Sequence, residues 1–145
     1  MGQARELMRR ITDAVVAGDE KTLTECYTED AVAETPDWGT LQGRSEIVKY
    51  LQSFSRAFPD FRFEPLSELE DGNVAIDEGY IVGTHTGPMT SPTGEDIAPT
   101  GSRVRMRECD VLVVENGLAV AHRFYFDQQD FNSQLNPEAG TESPA

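Results

Sequence analysis

The hydrophobic repeat changes period once along this chain, and that switch constrains the fold more than any other feature. Up to Phe58 the apolar residues recur every three or four positions; after Pro59 they recur every second. The first period belongs to amphipathic helices and the second to half-buried strands. Leu7, Ile11, Ala14 and Val15 predict a helix from Ala4 to about Ala17, ended by Gly18. A shorter helix follows over DEKTLTECYTED, with Leu23 and Tyr27 on one face. The segment AVAET, 31–35, reads as a short strand, and PDWGTLQG as a turn-rich loop holding Trp38. Ser45 has the character of an N-cap for a third helix. That helix turns Ile47, Leu51, Phe54 and Phe58 inward and closes at Pro59. Strands are expected near 61–68, 74–86, 103–114 and 118–127.

Helices first and an antiparallel meander second is an α+β order: a curved, mainly antiparallel sheet packed on three N-terminal helices. A strongly curved sheet over helices encloses a conical space, and an unfilled cone is a pocket. One domain is expected over 1–135, with NPEAGTESPA over 136–145 as a disordered acidic tail. The net charge of −14 disfavours nucleic acid and anionic membrane surfaces, which select Lys and Arg. No run of about 18 apolar residues offers a membrane span. The start of the chain lacks the apolar core of a signal peptide. Cys26 and Cys109 form no CxxC and read as reduced thiols, so the expected location is cytoplasmic.

The stretch ECDVLVVENGLAVAHRFYFD, 108–127, carries the chemistry. It reads as a hairpin turning at Glu115-Asn116-Gly117. Two turns are compatible with ENG. A two-residue turn pairs 115 with 118 and sends Ala119, Ala121, Arg123, Tyr125 and Asp127 inward. A three-residue loop pairs 114 with 118 and sends Leu118, Val120, His122, Phe124 and Phe126 inward. The second set is far more apolar, which favours the three-residue loop. On the preceding strand Val104, Met106, Glu108, Asp110, Leu112 and Val114 then face inward, and Arg103, Arg105 and Arg107 face outward. In this register Asp110 is opposite His122 and Glu108 is diagonal to it, about 5 Å and 7–8 Å away.

Buried carboxylates beside an imidazole form an acid/base cluster, because burial and charge shift their pKa values in opposing directions. A structural ion pair is the alternative. Glu34, Trp38 and Tyr80 are further pocket candidates. Glu34 alternates with Val32 on a lining strand, and Trp38 sits with Asp37 in the loop over the mouth. Tyr80 shares a strand face with Val74, Ile76 and Val82 and can serve as an oxyanion donor. His85, on the opposite alternation, is read as structural or rim. No metal-ligand spacing and no phosphate loop occur.

Four segments, DAVVAGDEKTLTECYTEDAV, GTLQGRSEIVKYLQSFSRAFPDFRF, GTHTGPM and PTGSRVRMRECDVLVVENGLAVAHRFYFD, resemble the SnoaL-like polyketide cyclases. These belong to the nuclear-transport-factor-like superfamily of α+β cones, and the resemblance runs from about Ala4 to Leu135. It implies ring closure of a hydrophobic, polycyclic ketone without metal or cofactor, by an Asp base and a partner His on the last two strands. The matching strands here offer Glu108 and His122, fourteen positions apart, with the residue types exchanged. The superfamily also contains ketosteroid isomerases, dehydratases, limonene epoxide hydrolases and plain binders. The epoxide hydrolases end much like HRFYFD but carry a catalytic Asp where this chain has Phe124. The expected site is therefore His122 and Glu108 as the catalytic pair, with Asp110 orienting His122. Met106, Phe124, Phe126, Phe54, Tyr80, Trp38 and Glu34 would contact the substrate. The outward arginine row is expected to form part of a homodimer contact.

Overall fold

The computed structural model describes residues 2–136, so the expected tail, apart from Asn136, lies outside the described residues. Helix α1 (Gln3–Ala17) ends as expected at Gly18, whose left-handed backbone (φ 67°) returns its N–H to the carbonyls of Ala14 and Val15. Helix α2 (Glu20–Cys26) is capped by Asp19, which accepts from the Thr22 amide at 3.1 Å. The chain becomes extended one residue later, in β1 (Tyr27–Thr35). Tyr27 is thus the first strand residue and not part of a helix face. After β2 (Gly39–Gln42), helix α3 (Arg44–Ala57) begins at Gly43. Ser45 is inside its first turn and is not the N-cap. The positive φ of Gly43, 94°, lets the chain swing from strand to helix there.

Strands β3 (Arg62–Asp71), β4 (Val74–Thr84), β7 (Arg103–Glu115) and β8 (Leu118–Phe126) follow the expected meander. Between β4 and β7 lies a small hairpin, β5 (Met89–Thr90) with β6 (Asp96–Ile97). A further helix, α4 (Gln128–Leu135), follows β8; it caps itself with Asp127 and buries Phe131 and Leu135. The main sheet runs β2-β1-β8-β7-β4-β3, antiparallel except for the β1–β8 pair, which is parallel. The architecture is an α+β cone: a curved sheet, not closed into a barrel, over α1–α3, with α4 added at one end. Leu7, Met8, Ile11, Leu23, Ile47 and Leu51 from the helices meet Val104, Met106, Leu112 and Val114 of the sheet in one core.

The β7–β8 hairpin corrects two expectations at once. Glu115 pairs with Leu118, so the turn is the two-residue Asn116-Gly117 form. Both turn residues have positive φ, 52° and 82°, as that tight turn requires. Val113 then pairs with Ala121 while Val114 pairs with Ala119, leaving Val120 as the extra residue of a β-bulge. One extra residue resets the alternation. Ala119 is buried, whereas Leu118 and Val120, expected inward, are partly exposed. Beyond the bulge His122 comes to the inner face. The sequence therefore satisfies both its preferred turn and its apolar face.

Candidate functional site

The cone encloses a cavity of about 820 Å³. Its wall is mainly aromatic and aliphatic, with Phe54 and Leu51 from α3, Trp38 from the β1–β2 loop, Met106 from β7, and Phe124 and Phe126 from β8. A chain of rings crosses it. Trp38 packs edge-on to Tyr50 at 5.5 Å, Tyr50 against Phe124 at 5.7 Å, and Phe124 stacks on His122 at 4.0 Å. Phe54 stacks on Phe58 at 4.9 Å.

Into this apolar wall β7 places Glu108 and Asp110, and β8 places His122. All three are buried. Asp110 pairs with Phe124 and Leu112 with His122, so Asp110 is diagonal to the imidazole and not directly opposite it. The contact is nevertheless short: His122 Nε2 lies 2.6 Å from Asp110 Oδ2. The other ring nitrogen does not face the cavity as expected; Nδ1 is 2.7 Å from the hydroxyl of Tyr27. A phenol donating to Nδ1 leaves the proton of a neutral ring on Nε2, aimed at Asp110. The imidazole is thereby fixed from both sides.

Glu108 has no comparable partner. Burial, then the charge of Asp110 and a hydrogen bond with it, hold its carboxyl well above the usual glutamate range. Across the sheet, Asp77 of β4 pairs directly with Asp110. Its carboxyl touches the Arg5 guanidinium at 2.5 Å, yet its pKa is pushed up to about 6. Burial and the neighbouring Asp110 outweigh the guanidinium. On the far side of the ring chain, Asp37 accepts from the Tyr50 hydroxyl at 3.0 Å, and burial raises its pKa too. The cavity thus gathers three acids whose pKa values are raised, Glu108, Asp77 and Asp37, around an Asp110 side chain held at 2.6 Å by an imidazole. Among the described residues no group of three His, Cys, Asp or Glu side chains is gathered for a metal ion.

Two expected pocket residues stand elsewhere. Tyr80 is on the outer face, with the Arg105 guanidinium 3.7 Å over its ring. The cavity face of β4 carries Asp77 and Ile81, the odd positions, so the even-numbered Tyr80 points away. Glu34 is exposed, because on β1 the buried alternation is Ala31, Ala33 and Thr35. Three site residues went unassigned in the sequence. Tyr27 was concealed by its helical context, Tyr50 by the polar face of α3, and Asp77 by the reading of β4 through Tyr80. The alternation Ala75, Asp77, Gly79, Ile81 would have exposed Asp77. His85, read as structural or rim, is fully buried in the cavity wall.

The sequence profile of the SnoaL-like domain matches residues 8–122, most of the chain. The protein belongs to the SnoaL-like family. No curated protein matches its sequence. Solved structures share the SnoaL-like fold at low identity. A candidate SnoaL-like polyketide cyclase from Jannaschia sp. CCS1 superposes with a TM-score of 0.78 at 14% identity, covering 99% of this chain and 94% of its own. IdmH, a candidate polyketide cyclase from Streptomyces antibioticus, gives 0.75 at 23%, covering 92% and 99%. An LEH-like epoxide hydrolase from M. tuberculosis gives 0.70 at 19%, covering 99% and 97%. Cyclase and epoxide-hydrolase descriptions thus attach to one SnoaL-like scaffold. No helix among the described residues of this SnoaL-like protein is long and apolar enough to cross a membrane.

Proposed function

We propose that the cone is the active site of a cofactor-independent acid/base enzyme acting on a hydrophobic, polycyclic ketone, by cyclisation or isomerisation. The observation that carries this reading is Glu108, whose carboxyl burial and the neighbouring Asp110 hold well above the usual glutamate range, beside Asp110, which His122 Nε2 meets at 2.6 Å, on one apolar wall. Enolisation needs a base at the α-carbon and a donor at the carbonyl oxygen. Asp110 takes the α-proton, and Glu108 donates to the oxygen as charge develops there. A neutral carboxylic acid in an apolar site is a strong donor for this purpose. The enolate then attacks a second carbonyl of the same molecule, closing a ring, or takes the proton back at another carbon, moving a double bond. Both outcomes leave the enzyme in its starting protonation state.

The roles differ from the pair His122 and Glu108 suggested by the sequence. With both ring nitrogens engaged, His122 acts as a positioning residue and Asp110 as the base. Asp110→Asn and Glu108→Gln should each lower kcat by about 10²–10⁴-fold on a ketone the wild type turns over. Folded variants with unchanged turnover would leave a binding cavity and no catalyst. Hydrolysis of an epoxide is the second reading on this scaffold, but Phe124 supplies no acid at the position where the resemblance places one.

The same reading includes a homodimer formed through the outer sheet face. Arg103, Arg105 and Arg107 line that face in an acidic chain, and Tyr125, half-exposed, lies on it too. Light scattering at micromolar concentration should give twice the chain mass; a monomer mass would refute it. The free thiols Cys26 and Cys109 suit the reducing cytoplasm.

A further inference from the structure

One polar cluster of the cavity stands apart from the carboxyls of the sheet. Asp37 lies in the loop between β1 and β2 and lines the cavity, with Trp38 beside it and Tyr50 reaching it from α3. Its Oδ1 accepts from the Tyr50 hydroxyl at 3.0 Å and from the Trp38 backbone N–H at 3.1 Å. The Thr35 hydroxyl, 2.8 Å from that same N–H, makes a third hydrogen bond to the carboxyl. Burial raises the Asp37 pKa, and these donors oppose the rise. A loop side chain is thereby held in one orientation.

A carboxylate offers about four acceptor sites on its two oxygens, so three donors leave it able to accept once more. Asp37 is also partly exposed, whereas Glu108, Asp110 and Asp77 are buried. An oriented, accessible carboxyl in an apolar wall is a place for a donor group of a ligand. The ring chain leads from this group to the reacting end. Trp38, Tyr50, Phe124 and His122 succeed one another at 5.5, 5.7 and 4.0 Å. Asp37 holds the Tyr50 end of that chain and Asp110 the His122 end. A flat molecule lying along the rings meets Glu108 and Asp110 with one end and Asp37 with the other.

We propose that Asp37 is a specificity-determining acceptor that receives a hydroxyl group of the substrate, so that the cavity selects flat ketones with a hydroxyl at the end opposite the carbonyl. The proposal rests on the acid/base reading for the carbonyl end and deepens it. A ligand with an apolar end there takes Asp37 out of contact with water and returns no hydrogen bond, which is the stronger form of discrimination. A methyl ether has no proton to give and carries the same penalty.

The test compares 1-tetralone, its 5-, 6- and 7-hydroxy derivatives and the matching methyl ethers, binding to the full chain at neutral pH. The isomers offer the hydroxyl at successive positions around the ring. On the wild type at least one hydroxy isomer should bind about tenfold more tightly than 1-tetralone, the effect of one net hydrogen bond, and its methyl ether should show no such gain. Asp37→Asn keeps an acceptor for Tyr50 and Trp38 and puts an amide N–H₂ in place of the second oxygen. In that variant the hydroxy-to-methoxy ratio should fall to about one. The wild-type ratio is a readout independent of the variant's folding. A wild type that binds no hydroxy isomer better than its methyl ether, or an Asp37→Asn protein that keeps the full ratio, overturns the proposal. Exchange of the 1-tetralone α-protons in D₂O, followed on the wild type, reads the acid/base chemistry separately. Exchange with no hydroxyl preference sinks the Asp37 role alone, a hydroxyl preference lost in Asp37→Asn without exchange sinks the catalytic reading alone, and failure of every tetralone to bind overturns both.

Discussion

Replacing Tyr27 by Phe removes one oxygen atom from a point in the site that solvent does not reach. The hydroxyl is 2.7 Å from His122 Nδ1, and both side chains are buried. The ring volume is unchanged, so no cavity larger than the lost oxygen forms. The lone pair on Nδ1 is then left without a donor in an apolar surrounding. An orphaned buried acceptor costs about 1–3 kcal/mol, which for a domain of this size shifts the thermal midpoint by roughly 3–10 °C. The second consequence is chemical. With no donor at Nδ1, the proton is no longer confined to Nε2, and the hydrogen bond to Asp110 Oδ2 at 2.6 Å loses its fixed direction. Misplacing a catalytic base by such a loss costs up to about 10²-fold in kcat. Urea unfolding followed by circular dichroism gives the stability term, and ¹⁵N shifts of the His122 ring give the tautomer. Equal unfolding midpoints together with an unchanged His122 tautomer would refute the reasoning.

Other perturbations address different parts of the structure. Glu108 binds its proton more tightly in the folded state than in the unfolded chain, so its contribution to stability is lost as pH rises from the ordinary glutamate range through the raised folded value. Denaturant titrations of Glu108→Gln across pH should lack that decline, and kcat in the wild type should fall on the alkaline side as Glu108 ionises; an unchanged pH dependence of stability in the variant contradicts this. Asp77→Asn leaves the buried Arg5 guanidinium without the carboxylate it touches, and should cost about 3–5 kcal/mol by urea unfolding; a midpoint equal to wild type would show the pair to be dispensable. In Gly79→Ala the new methyl would stand 2.3 Å from the Glu64 carbonyl oxygen and 2.9 Å from Pro65 Cα, so β3 must separate from β4. A loss of about 1–3 kcal/mol is expected, and a neutral effect would mean that this strand pair is looser than described.

The sequence revealed the elements whose signal is local. Helices α1 and α3 follow from three- and four-residue spacing, and the inner row of β7 follows from strict alternation between arginines and apolar residues. The cavity face of β7 was legible for the same reason: Glu108 and Asp110 alternate with the outward arginines and share the side of Met106 and Leu112. What escaped depends on contacts between distant segments. The bulge at Val120 is a compromise between a turn preference and a buried face, and neither alone reveals it. Tyr27 meets His122 only because β1 runs parallel to β8, a pairing across 95 residues. The approach of Asp77 to Asp110 depends on the β4–β7 register, and the seat of the His85 ring depends on a loop that closes back at Thr100. Helix α4 is short and mostly polar, so its two buried anchors, Phe131 and Leu135, give little periodic signal.

The central claim is that Asp110 exchanges a proton with a carbon acid in the cone while Glu108 supports the developing oxyanion. It is tested most directly by the rate at which the α-protons of a bound 5α-androstan-3-one are replaced by deuterium, read by NMR in wild type and Asp110→Asn. Asp110→Asn keeps the shape of the side chain and removes the base. The account predicts exchange well above the solvent rate in the wild type and a loss of about 10²-fold or more in the variant. Equal exchange in the two folded proteins would contradict it.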